Sequence, residues 1–331
     1  MHIMSKIHTS IQSLIGKTPL LELVNLEEKY QFGAKIIAKL EYFNVNQSTK
    51  DRIALAMIEE AERSGKLKPG YTIVEATSGN TGIAVAAIAA SKGYPARIYM
   101  QDNVSKERAQ VVKAFGAELV YFSDVPFIKQ VLAENDGDFV LALKKFKEEV
   151  LKTEKNIFFC NQMENTENVN AHRLTTGPEI WKDTDGDIDI LVSTVGTTGT
   201  LMGAGSYLKE KNPNIKVVAV QPGPNSLPKE DGTQPEKEIT GVHPIEGIPE
   251  ENIPAQLNRE IVDELIEVEA EEAYATAKEV AKTDGILIGT SSAAGLTAAK
   301  RLAALEENKG KKIVVVAADT GLRYLSKGLF D

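Results

Sequence analysis

Cysteine is nearly absent: one residue, Cys160, stands in a chain of 331. A lone cysteine excludes an internal disulfide and fits a reducing compartment. Histidine is sparse, and the four present are scattered without ligand spacing, so no structural metal is expected. Positive charge is in deficit. Lys and Arg number 38 against 47 Asp and Glu, a net charge of −9, which argues against nucleic acid and anionic membrane surfaces as partners. No apolar run reaches the ~18 residues of a membrane span. The opening stretch MHIMSKIHTSIQ lacks a signal-peptide apolar core, and a cytoplasmic location is the expectation. Repeats and low-complexity tracts are missing as well. What is left is an ordinary soluble globular composition, 42% hydrophobic and 26% charged, long enough for two lobes.

The elements alternate. Strands are predicted at 36–41, 71–76, 96–100, 117–122, 156–160, 188–194, 216–221, 285–288 and 312–317. Helical patterns lie between most of them, the long apolar one at 83–92 closed by Gly93. This order predicts an α/β fold of two lobes, each a twisted, mostly parallel sheet flanked by helices. The polar stretch 123–155 carries one apolar stripe, Phe139, Leu143, Phe146 and Val150, and a break near residues 135–137. It closes the first lobe, and the strand at 156–160 starts the second. Residues 222–262, rich in Pro, Gly and Glu, read as irregular.

Four stretches are candidates for chemistry. Lys50 follows a strand and opens a helix behind Ser48, a good N-cap. A cation at that end opposes the helix dipole, so Lys50 is either a solvated surface lysine or one whose charge has been removed, as in a Schiff base. Gly196-Thr197-Thr198-Gly199-Thr200 joins a buried strand to a helix and gathers free N–H groups and hydroxyls into a phosphate cup. It has neither the Lys-Ser/Thr pair of a nucleotide loop nor the glycine order of a dinucleotide site, so a small phosphate monoester fits best. Taken alone it is equally a tight strand–helix turn. Thr77-Ser78-Gly79-Asn80-Thr81-Gly82 has the same build and suits a carboxylate, with the Asn80 amide available to a phenolic or carbonyl oxygen. By itself it reads as readily as a helix cap. Gly289-Thr290-Ser291-Ser292 offers either a cap or a hydroxyl for a ligand's ring nitrogen.

Taken together, these stretches resemble the cysteine synthase (O-acetylserine sulfhydrylase) family, related to cystathionine β-synthase. They run in that family's order with Ile15-Gly16-Lys17-Thr18-Pro19-Leu20, Lys39-Leu40-Glu41, Thr175-Thr176-Gly177-Pro178-Glu179-Ile180 and Arg323-Tyr324-Leu325-Ser326. The Gly-Thr-Thr-Gly-Thr form and Met100-Gln101-Asp102-Asn103 are nearest the B isozyme branch. The resemblance implies the fold type II, tryptophan synthase β-like architecture. A large domain, 1–44 and 156–331, would bind the phosphate of pyridoxal 5'-phosphate; a smaller mobile domain, 45–155, would bind the substrate carboxylate. It implies that Lys50 carries the cofactor as an imine and later acts as acid and base. Gly196 to Thr200 would hold the phosphate, Asn80 the ring oxygen and Ser291 the ring nitrogen. Thr77, Ser78, Gly79, Asn80, Thr81 and Gln162 would grip the substrate carboxylate. The implied reaction is β-replacement on a β-substituted L-alanine through an aminoacrylate, with O-acetyl-L-serine and sulfide giving L-cysteine. A homodimer is implied, with serine acetyltransferase as a further partner.

The chain departs from the family pattern at three places. Asn46 and Gln47 replace two small residues before Ser48 and Lys50. Glu250 and Glu251 fall on a segment that borders the substrate side chain in the family, with Asp231 on the loop before it. Ser291-Ser292-Ala293 stands for Ser-Ser-Gly. The two glutamates are either solvated loop acids or a base for an incoming water or thiol. The second possibility keeps open an enzyme that expels sulfide from cysteine and forms serine, lanthionine or cystathionine. A non-catalytic binding protein on this fold is the reading from another class, and the presence of Lys50 weighs against it.

Overall fold

The computed structural model describes residues 7–77, 79–102, 104–134, 139–228 and 233–331. Ten strands form two sheets among these residues. They are β1 (Leu20–Glu22), β2 (Lys35–Leu40), β3 (Thr72–Ala76), β4 (Ala96–Met100), β5 (Glu118–Tyr121), β6 (Ile157–Phe159), β7 (Ile190–Thr194), β8 (Lys216–Pro222), β9 (Glu264–Val268) and β10 (Lys312–Ala317). The larger sheet runs β1-β2-β10-β7-β8-β9 and the smaller β5-β4-β3-β6. Every pairing is parallel except that of β1 with β2. The two-lobed, mostly parallel α/β fold is as expected.

Each sheet is covered on both faces, which is why its strands read as continuous apolar runs. Along β2, Ile36, Ala38 and Leu40 enter one core cluster and Ile37 the opposite one. In the smaller sheet Ile73 and Ile98 pack on one side, Val74 and Tyr99 on the other. The helix Asn80–Lys92 has nine consecutive buried residues, Thr81 to Ala89, whose alanines allow close approach, and its last turn reaches the surface. The stripe on 139–153 is realised at Phe146 and Val150, both buried; the break near 135–137 lies outside the described residues.

Two expectations are corrected. The strand at 156–160 does not start the larger sheet: β6 pairs with β3 in the smaller one, Thr72 opposite Ile157, so the smaller lobe runs past the expected 155/156 boundary. Ile157 and Phe159 pack with Val74 and Tyr99 on one face, while Phe158 meets the cluster of Ile73 on the other. A short apolar strand carries no local record of which neighbour it will pair with. Second, 285–288 is not a strand. Gly285 takes a left-handed φ of +71°, and only Ile288 is bridged, to Thr320. Beyond the irregular segment, β9 is an edge strand that no expectation covered, since Glu264, Leu265, Ile266, Glu267 and Val268 do not alternate polar with apolar. The helices Val24–Tyr30 and Glu167–Ala171 were not anticipated either.

The carboxyl ends of β3, β6, β7 and β10 lead into the loops at 77, 160, 195 and 318. In open parallel sheets ligands bind at those ends, where strand direction points free N–H groups and helix starts into a crevice. Here the two sheets turn those ends toward one cleft.

Candidate active site

Lys50 is the first residue of the helix Lys50–Arg63, and its backbone N–H donates to Ser48 Oγ at 3.3 Å. The turn before it is tied to the larger sheet: Thr49 N–H donates to the Ala318 carbonyl at 2.8 Å. Burial pulls the Lys50 amine down to about 8, against the opposing pull of Asp319 and Glu75. A lysine so placed has a far larger neutral fraction near neutral pH than an ordinary surface lysine, and the neutral amine is the form that acts as nucleophile or base. Glu75 lies nearby, 1% exposed, at the end of β3. Burial pushes its carboxyl up to about 8, although the Gln162 and Ala76 N–H groups favour its charged form.

Across the cleft the helix Gly199–Lys211 points its amino end at the loop 196–200. Thr198 there has φ +65°, an uncommon conformation for a β-branched residue, which marks a backbone held in an unfavourable shape by its surroundings. Side chains are excluded at the two glycines. A Cβ on Gly196 would lie 2.7 Å from the Gly241 carbonyl oxygen, and one on Gly199 1.8 Å from Asn168 Oδ1. Asn168 braces the loop, donating to Thr197 Oγ1 and to the Gln162 carbonyl, both at 2.8 Å. His172 braces the other end, with its ring nitrogens 2.8 Å from Thr176 Oγ1 and 3.1 Å from Thr200 Oγ1. Burial and the nearby Arg52 charge depress its pKa to about 3, so it supports Thr200 as a neutral ring. The cup is thus built of backbone donors, hydroxyls and a helix start, with no carboxylate in the loop. Those residues fit a phosphate dianion.

The loop after β3 forms the third wall. Gly79 has φ +150°, and a Cβ there would lie 2.4 Å from Arg108 Cδ. Asn80, Thr81 and Gly82 form the first turn of the helix Asn80–Lys92, so part of the expected loop is helical and its N–H groups are free. Thr81 Oγ1 donates to Gln162 Oε1 at 2.6 Å, joining this loop to the chain after β6.

The structure therefore brings Lys50, Thr77, Asn80, Thr81, Gln162, residues 196–200 and Ser291 to one cleft. Gly79 belongs to the same loop. Ser78 and Asp231 lie outside the described residues. Ser291 lines the cleft from the first turn of the helix Thr290–Ala303, whereas Ser292 turns inward, where its Oγ accepts from Asp319 N–H at 3.3 Å. Glu250 and Glu251 are not brought in. Both are exposed, neither lines the cleft, and Glu250, with 85% of its side chain accessible, is 3.9 Å from Arg259. Their short 3-10 turn, Glu250–Asn252, faces solvent, the ordinary place for loop acids. Asn46 is buried and Gln47 exposed, and neither lines the cleft.

Sequence reasoning missed Arg108, His243 and Tyr324, which also line it. Arg108 sits in what reads as an ordinary surface helix, and its guanidinium lies 4.5 Å from the Tyr324 ring centre. His243 comes from the irregular segment, pinned by its N–H to the Val195 carbonyl at 2.7 Å. No local pattern marks either residue. Tyr324 stands in a motif that was noted without a role.

Residues 11–319 match the family of pyridoxal-phosphate dependent enzymes, and the chain belongs to it. More closely, the chain is 44% identical over 323 residues to a cysteine synthase of Staphylococcus aureus, covering 97% of each chain. Among solved structures it resembles O-acetyl serine sulfhydrylase isoform 3 of Entamoeba histolytica, with TM-score 0.82 and 38% identity, covering 100% of this chain and 93% of that one. It also resembles a hydrogen sulfide-producing enzyme of Fusobacterium nucleatum, with TM-score 0.83 and 37% identity, covering 96% of this chain and 100% of that one. The protein is thus a fold type II enzyme of cysteine synthase type that uses pyridoxal phosphate. Among the described residues no helix is long and apolar enough to cross a membrane, and no group of three or more His, Cys, Asp or Glu could hold a metal ion.

Proposed function

We propose that this enzyme replaces the acetyl ester of O-acetyl-L-serine with sulfide, forming L-cysteine and acetate, with Lys50 as the residue that bonds the cofactor. The observation that carries this is the single cleft that sets the depressed Lys50 amine against the 196–200 cup, with the amino end of the helix Asn80–Lys92 on a third side. When bound, pyridoxal phosphate supplies an electron sink that acidifies the substrate Cα–H and eases loss of a group from Cβ. The chain's own residues do the rest. Residues 196–200 anchor the phosphate through N–H groups and hydroxyls. Gly79 to Thr81, with Gln162, hold the substrate carboxylate and so fix which bond at Cα breaks. Ser78 joins them by family resemblance alone. Lys50, its amine free while substrate is bound, would take the Cα proton. Ser291 would offer the ring nitrogen a hydroxyl, a partner too weakly basic to hold it protonated, which would disfavour racemisation and transamination.

The reading includes a smaller lobe that moves against the larger one to admit substrate. It also includes a cytoplasmic homodimer. Leu174, 73% exposed, is apolar surface that a second copy would cover. Serine acetyltransferase, which makes the donor ester, is the partner this chemistry calls for. A second reading, release of sulfide from L-cysteine, draws on the similarity to the Fusobacterium nucleatum enzyme.

One experiment separates these. Purified protein loaded with pyridoxal phosphate is given O-acetylserine with sulfide, or cysteine alone, and cysteine formation and sulfide release are measured. Faster cysteine formation supports the synthase; faster sulfide release supports the second reading. Borohydride reduction followed by peptide mass analysis is expected to label Lys50, and a label on another lysine would sink the assignment.

A further inference from the structure

The segment after β10 touches both halves of the cleft. It carries the lysine turn through the Thr49–Ala318 hydrogen bond, through an antiparallel bridge of Ser48 with Asp319, and through the Arg323 guanidinium, which donates to the Asn46 carbonyl. It also holds Asn80 from the opposite lobe. Asn80 Nδ2 donates to Asp319 Oδ2 at 2.6 Å, and Arg323 Nη1 donates to Asn80 Oδ1 at 2.6 Å. Tyr324 Oη donates to the same Asp319 oxygen at 2.6 Å. Asp319 is 1% and Arg323 7% exposed. The other Asp319 oxygen fits only because residue 289 is glycine, since a Cβ there would lie 2.1 Å from it.

The two partners have opposite roles. A carboxylate only accepts and a guanidinium only donates, so the Asn80 amide has one permitted orientation. Turned over, it would set its carbonyl against Asp319 and its N–H groups against Arg323. In the permitted orientation the amide oxygen faces Arg323, and the second Nδ2–H is what Asn80 has left to offer a ligand.

We propose that Asp319 and Arg323 are positioning residues that hold Asn80 as a hydrogen-bond donor toward the cleft. The ligand oxygen opposite Asn80 is therefore an acceptor, and its ionised form accepts the stronger bond. Given the cofactor reading above, on which this rests, that oxygen is the ring oxygen of pyridoxal phosphate in its phenolate form. Charge-assisted hydrogen bonds of this kind are short and strong, and they favour the ionised acceptor.

The test compares cofactor-loaded full-length wild type, Asp319→Asn, Arg323→Lys, Asn80→Ala and the double variant Asn80→Ala/Asp319→Asn. An asparagine at 319 also donates, which frees the Asn80 amide to turn over. Asp319→Asn is expected to lower kcat roughly 10- to 100-fold, as small misplacements near reacting groups do, with KM within about threefold of wild type. The absorbance of the bound cofactor should shift from its phenolate toward its neutral form. Arg323→Lys keeps a cationic donor and should retain most activity and the wild-type spectrum. The double variant should be no slower than Asn80→Ala alone, because Asp319 acts through Asn80. Independent, multiplying losses, or an unshifted spectrum in Asp319→Asn, would overturn the proposal. If Asp319→Asn fails to fold, Arg323→Met with and without Asn80→Ala repeats the spectral comparison. A normal borohydride label on Lys50 with an unshifted spectrum defeats the clamp alone, whereas a missing label in wild type defeats the cofactor reading.

Discussion

Arg52 meets the Glu41 carboxylate at two points, Nε to Oε2 at 2.7 Å and Nη2 to Oε1 at 2.8 Å, with both side chains buried. The guanidinium also grips both oxygens of Glu179, each at 2.7 Å. Thr18 Oγ1 donates to Glu41 at 2.6 Å, and Lys39 pairs with Glu179 at 2.9 Å. Four of the sequence motifs thus meet in one buried ionic cluster, two residues beyond Lys50. Burial would raise Glu41, but Arg52 and Thr18 override it and hold the carboxyl at about 2.

Removing one partner strands the others. Arg52→Met should cost about 3–5 kcal/mol of stability, because Glu41 is left charged and unpaired in a dry site. The double variant Arg52→Met/Glu41→Leu should be less destabilised than Arg52→Met alone. Denaturant unfolding of the cofactor-free chain measures both, and equal losses would show that the pairing does not set the cost.

Gly199→Asp should abolish tight cofactor binding. The new Cβ would lie 1.8 Å from Asn168 Oδ1, and the new carboxylate would face a phosphate dianion, a repulsion of several kcal/mol when poorly solvated. Gly199→Ala tests the steric part and should weaken binding by a smaller factor. Cofactor retained after dialysis at wild-type occupancy in Gly199→Asp would contradict the cup.

Glu75 predicts a pH signature. Its folded pKa, about 8, is raised above an unfolded value near 4.5. The folded state therefore favours the protonated acid, and the stability this contributes is lost as pH rises from about 4.5 through 8. Glu75→Gln mimics the neutral form. Relative to wild type, its stability should rise across that window by roughly 3–6 kcal/mol and level off above it. Melting curves of both proteins at several pH values check this, and a pH-independent difference would mean that Glu75 is ionised throughout.

Glu250→Gln and Glu251→Gln should leave kcat/KM for O-acetylserine and for cysteine within about twofold of wild type. Exposed charges in a solvent-facing turn are screened within roughly 8–10 Å at physiological salt. Repulsion by these acids is consequently no ground for rejecting O-phosphoserine. Steady-state rates of the two variants on the three donors decide the point.

Much of the site was legible because its chemistry is local. The 196–200 cup and the 77–82 loop are strand-to-helix turns whose glycines and hydroxyls must be contiguous, since neighbouring N–H groups converge only over a few residues. Lys50 was legible for the same reason, as a cation at the start of a helix. Their order along the chain then carried the family resemblance. Strand membership was not legible for β6: Ile157–Phe159 would suit either sheet, and pairing with β3 was decided by packing beneath Val74 and Tyr99. Glu250 and Glu251 show the same limit, for alignment placed them beside the substrate and the course of the backbone placed them in solvent. Most of all, nothing near Asn80 in sequence announces Asp319 and Arg323, 239 and 243 residues away. A hydrogen bond between side chains so distant exists only once both sheets are folded and docked. The sequence by itself determined which groups could meet a phosphate, a carboxylate and an imine. Tertiary structure decided which way the Asn80 amide points, because its orientation depends on partners that folding alone brings within reach.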